Sequence, residues 1–140
     1  MPGGGDDVLD FFVTGAHAYD KWGFQASLGY EQALDSYFNS SIFHWHDHVD
    51  YELFEDFFLL IEVTGLNALD EGNRTALGNF EGNDAVNFGS TNSSRVVTGN
   101  IGAHYKFTNH VQLGVSYEAP ISDQKDLLLW RTNLDLVVHF

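Results

Sequence analysis

Residues 127–140, LLLWRTNLDLVVHF, constrain the fold of this chain more than any other stretch. Leu128, Trp130, Thr132, Leu134, Leu136, Val138 and Phe140 occupy every second position. Arg131, Asn133, Asp135 and His139 stand on the alternate positions. Successive side chains of a β-strand point to opposite faces, so a period of two predicts a strand with one apolar and one polar face. Two settings suit it. The apolar face can meet lipid while the polar face lines a wet interior, or it can pack in the core of a soluble sheet.

The same pattern recurs along the chain. Strands are predicted over residues 9–19, 21–34, 37–51, 54–66, 95–107, 110–119 and 127–140, which makes the protein all-β. The second is the cleanest. Trp22, Phe24, Ala26, Leu28 and Tyr30 lie on one face, with Gln25, Ser27 and Glu31 on the other. The expected architecture is an antiparallel up-and-down meander of seven or eight strands, forming a transmembrane β-barrel or the C-terminal part of one. The eighth strand would be Ala85-Val86-Asn87-Phe88-Gly89-Ser90.

Connections alternate in length. Those at 20–21, 53–56 and 108–109 are tight. Those near 35–36, at 67–94 and at 120–126 run from short to very long. Outer-membrane barrels have short periplasmic turns and longer extracellular loops, so the polar stretch 67–94 is expected outside. Residues 1–140 read as one domain. Barrels of single bacterial chains have even strand numbers, so a count of seven implies absent N-terminal strands. MPGGGDDVLD has neither a basic nor an apolar segment of a signal peptide.

Composition narrows the function. With six Lys plus Arg against twenty Asp plus Glu, the net charge is −14. This argues against nucleic acid as a partner, because such binding needs a basic surface. There is no cysteine, hence no disulfide or thiolate metal site. No apolar run is long enough for a transmembrane helix. The 15% aromatic content suits interfacial girdles or an aromatic core. Nucleophile elbows, phosphate-binding loops, dinucleotide fingerprints and HExxH motifs are absent, so no enzyme activity is expected.

His44, His46, His48 and Asp50 share one face of the third strand. Residues i and i+2 are about 6.5–7 Å apart on a strand, and neutral imidazole binds Zn, Cu or Ni. His44, His46 and His48 are therefore candidate ligands for a divalent metal, against the plainer alternative of a row of wet histidines. Gln25, Glu31, Glu62, Gln112, Glu118, Arg131 and Asp135 fall on polar faces and are candidate lumen-lining residues. The plainer alternative for these is a structural ladder of ion pairs. Asp70, Glu71, Asn73, Glu81, Asn83 and Asp84 are oxygen ligands in type, but their spacing is not that of an EF-hand. A faint repeat relates Gly15-Ala16-His17 with Gln25 and Glu31 to Gly102-Ala103-His104 with Gln112 and Glu118.

Several short motifs occur in a telling order. Ile61-Glu62-Val63 closes a strand before a Gly/Asn-rich loop. Thr98-Gly99-Asn100-Ile101-Gly102 and Tyr105-Lys106 follow, then Gln112-Leu113-Gly114, Tyr117-Glu118-Ala119-Pro120 and an Arg-bearing last strand. In this order they resemble the C-terminal half of the outer-membrane barrel family associated with phenol and other aromatic degradation pathways. The resemblance implies a bacterial outer-membrane location, contact with lipid, and passive uptake of small, often hydrophobic or aromatic solutes. The His-rich third strand is not among the residues that carry the resemblance, and its role stays open. The competing expectation is a soluble acidic β-barrel that binds a metal through that strand. Oligomeric state is not legible.

Overall fold

The computed structural model describes residues 8–34, 41–69, 95–123 and 129–139. They form one seven-stranded antiparallel sheet in an up-and-down meander, with the strands side by side in chain order. The strands are β1 (Val8–Tyr19), β2 (Trp22–Ala33), β3 (Ile42–Phe54), β4 (Phe57–Ala68), β5 (Arg95–Thr108), β6 (Val111–Pro120) and β7 (Arg131–Val138). There is no helix among the described residues. The sheet is open, with β1 and β7 as its edges and no ladder joining them among the described residues. All seven expected strands are present. The candidate eighth at 85–90 and the acidic residues from Asp70 to Asp84 lie outside the described residues.

Three tight turns stand at one end of the sheet, after β1, β3 and β5. Asp20 (φ 53°) and Asp56 (φ 64°) take the left-handed conformation at two of them, which Asp tolerates because its short side chain can bond locally. The second turn lies later than the sequence suggests. β3 continues to Phe54, whose ring stacks on that of Phe57 at 4.7 Å. A register shift between Glu52 and Phe54 absorbs one extra residue. At the other end, Asn67 and Ala68 belong to β4 rather than to the predicted 67–94 loop, because Asn67 pairs with both Phe43 and Arg95. The rest of that loop beyond Leu69 lies outside the described residues.

The cross-strand register assigns every strand residue to a face. One face carries Phe24, Leu28, Trp45, Leu59, Ile61, Ile101, Val115, Leu134 and Leu136. The other carries the polar series of Gln25, His48, Glu62, Asn100, Glu118 and Arg131. Exposure runs opposite to that of a soluble sheet. Ile61 is 58% exposed and Leu134 74%, whereas Glu118 on the polar face is only 7% exposed. The only buried hydrophobic residues among those described are Ala33, Ala68 and Val96. Over the central strands the polar side is the more crowded and the apolar side the more open.

The sequence repeat does not survive as a repeat in space. Gly15 pairs with Ala26 on the apolar face, whereas Gly102 pairs with Ser116 on the polar face. The later turn of β5–β6 and its bulge between Lys106 and Thr108 reverse the phase.

Candidate functional site

The polar face is organised in rows that cross the sheet. The central row places Gln25 opposite His48, His48 opposite Glu62, Glu62 opposite Asn100, Asn100 opposite Glu118, and Glu118 opposite Arg131. Directly opposed residues have their Cβ atoms about 4.5–5.5 Å apart, and in this row His48 meets Glu62, Asn100 meets Glu62, and Arg131 meets Glu118. Four of the seven lumen-lining candidates thus align: Gln25, Glu62, Glu118 and Arg131. Glu31, Gln112 and Asp135 share the face in other rows.

Glu118 accepts from Arg131. The Arg131 Nε–H donates to Glu118 Oε2 in an ion pair. Arg131 itself remains well exposed, while the carboxylate is buried. This corner of the row is a closed pair of fixed charges.

Glu62 is held differently. Its Oε1 lies 2.9 Å from His48 Nδ1 and 3.8 Å from His46 Nε2. Its Oε2 accepts from Asn100 Nδ2. Each of the two imidazoles is also anchored through its other nitrogen. His46 Nδ1 lies 2.9 Å from Thr64 Oγ1, and His48 Nε2 lies 3.1 Å from Asp50 Oδ2. The ligand atoms of His46, His48 and Glu62 all fall within 4.8 Å of one another. All three side chains are partly buried, at 31%, 21% and 24% side-chain exposure. Asn100 Oδ1 is buried and has no hydrogen-bond partner among the described residues.

His44 does not join this cluster. It lies opposite Gly29, and a Cβ at Gly29 would meet the His44 ring. The bare backbone of Gly29 lets the imidazole lie across β2, and its Nε2 reaches Asp10 Oδ1 on β1 at 2.9 Å. Of the three histidines expected to act together, two converge, and the third member of the group is Glu62. The supporting residues Thr64 and Asn100 escaped the sequence analysis. Thr64 follows Glu62 at i+2 and shares its face, a signal that was present in the sequence. Asn100 has no such local signal, because its place opposite Glu62 depends on how the chain returns after residues 70–94.

Two further groups occupy the polar face near the tight-turn end. The His104 ring stacks on Phe58 at 4.6 Å, and Lys106 Nζ lies 4.5 Å from the centre of the same ring. On the apolar face at that end, Trp22 packs on Tyr51 at 4.6 Å, and Tyr105 meets Phe107 edge-on at 4.9 Å. Comparison of the chain with protein-family models, curated proteins and solved structures finds no match.

Proposed function

We propose that this sheet is wall of a bacterial outer-membrane β-barrel that admits small solutes passively, with no catalytic step. The observation that carries this proposal is the reversed exposure of the two faces. Phe11, Ile61, Ile101 and Leu134 are 62%, 58%, 62% and 74% exposed on one predominantly apolar face. A soluble sheet buries such a face under a second layer, and no element covers it among the described residues. Large uncovered apolar surfaces mark contact with a membrane or a partner.

Strand length and aromatic placement support the same proposal. β1 to β5 have 12 to 14 residues each, and a tilted transmembrane strand needs about 9–11. Trp22, Tyr51, Phe57 and Tyr105 band the tight-turn end of the apolar face, as an interfacial girdle would. Tight turns at one end and longer connections at the other match periplasmic and extracellular sides. In a seven-strand meander β1 and β7 run in the same direction. Closing the wall with antiparallel ladders throughout therefore takes an odd number of strands between them.

On this proposal Gln25, Glu31, Glu62, Gln112, Glu118, Arg131 and Asp135 face the lumen, and lipid covers the opposite side. Phe58 beside His104 offers the lumen an aromatic surface, which suits small aromatic or otherwise hydrophobic solutes. The test is to refold the full chain with and without detergent micelles and record far-UV circular dichroism. β-structure appearing only in micelles, followed by solute-driven swelling of vesicles carrying the protein, is the expected result. A monodisperse, β-rich protein in plain buffer would overturn the proposal.

A further inference from the structure

We infer that His46, His48 and Glu62 form a binding site for one divalent transition-metal ion of the Zn2+ class. The inference does not rest on the membrane proposal, because the cluster lies on the polar face whatever covers the other one.

Four observations converge on it. The first is ligand chemistry. Two imidazoles and one carboxylate suit Zn2+, Ni2+ or Cu2+, whereas Ca2+ and Mg2+ favour oxygen ligands alone. The second is spacing. Ligands about 2.05 Å from a tetrahedral ion lie about 3.3 Å apart, and the distances from Glu62 Oε1 to His48 Nδ1 and His46 Nε2, 2.9 and 3.8 Å, bracket that value.

The third is the outer shell. Metal-bound histidines usually engage the second ring nitrogen with a carboxylate, carbonyl or similar partner, and bound carboxylates are themselves hydrogen-bonded. Here all three side chains are anchored in this way. Thr64 holds the far side of His46, Asp50 that of His48, and Asn100 that of Glu62.

The fourth is an orphaned acceptor. Asn100 Oδ1 is buried without a hydrogen-bond partner among the described residues, on the same amide whose Nδ2 donates to Glu62, and a water on the ion would supply the missing donor.

The test uses the full chain, stripped with a chelator and verified as β-sheet by circular dichroism, titrated calorimetrically with Zn2+. One ion per chain is expected. His46→Ala, His48→Ala and Glu62→Gln should each weaken binding by about 100-fold, and His44→Ala should leave it within twofold. Removing a hydrogen-bond partner behind a metal ligand already costs 10–100-fold at such sites. A readout on the unaltered chain guards against variants that fail to fold. Bound Cu2+ should show electron-paramagnetic coupling to two imidazole nitrogens. No saturable binding to the folded chain, equal binding by the triple variant when folded, or coupling to a number of nitrogens other than two would each overturn the site.

Discussion

Glu62 and Glu118 sit in the same row of the same face, separated by Asn100 alone, yet they are held in opposite ways. Glu118 is buried against Arg131, whose charge is permanent and whose guanidinium has no lone pair to offer. Its needs are met within the fold. Glu62 is held by two histidines and an amide. An imidazole ring carries a nitrogen lone pair that a guanidinium lacks. The difference shows what separates a structural carboxylate from a candidate site on one surface. Burial and hydrogen bonding are common to both, and only at Glu62 can the partners turn into ligands.

The largest expected effect tests that contrast directly. Glu62→Gln should lower Zn2+ affinity by about 100-fold, while Glu118→Gln should leave it within twofold, both read by calorimetry on folded protein. Equal losses would mean that the ion senses the charge of the whole row rather than a coordination site. Stability should show the reverse order. Arg131→Met leaves the Glu118 carboxylate buried without its partner and should cost about 1–3 kcal/mol. The denaturation midpoint reads that cost, and faster hydrogen exchange should be confined to the β6–β7 ladder. His48→Ala should unsettle the sheet less, because its partners Glu62 and Asp50 are more exposed than Glu118.

Asn100 stands between the two carboxylates and sharpens the comparison. Asn100→Ala removes the donor that fixes Glu62 Oε2 but no ligand. Metal affinity should fall by about tenfold, the low end of what losing a ligand's hydrogen-bond partner costs, with two-nitrogen coupling to Cu2+ retained. If the coupling changes as well, Asn100 does more than orient Glu62.

How far the sequence reveals this arrangement depends on which residues decide it. Periodicity is local, so the seven strands and their two faces are legible from the alternation around Trp22 or Leu134. Asp-containing tight turns are legible for the same reason. Register is not local. The extra residue absorbed between Glu52 and Phe54 shifts the β3–β4 pairing by one, and the shift sets Glu62 rather than Val63 opposite His48. Nothing in the alternation announces it. The histidine strand was visible as a metal-binding candidate, but its membership was decided by Gly29. That glycine lets His44 lie over β2 toward Asp10, as Gly65 lets Trp45 lie over β4 on the other face. Close approaches of this kind depend on which residue stands opposite, so they emerge only once the ladders are known.

Asp47 supplies a third setting for a carboxylate and the smallest expected effect. It precedes His48 in β3 but points to the apolar face, where it is exposed between Ala26 and Val63. It is the one carboxylate on that face among the described strand residues, and no described side chain pairs with it. If lipid covers the face, a carboxylate there is unfavourable, though by less than the 2–4 kcal/mol of a basic residue at the bilayer midplane. Asp47→Leu should then raise the denaturation midpoint in micelles by an amount equivalent to about 1 kcal/mol or less, without altering Zn2+ affinity. If water bathes the face, the substitution gains nothing in micelles and enlarges an exposed apolar patch, so the protein should aggregate more readily in plain buffer. An unchanged or lowered midpoint in micelles would count against lipid contact at this position. The three carboxylates would then differ only in their protein partners, and not also in the medium that each face meets.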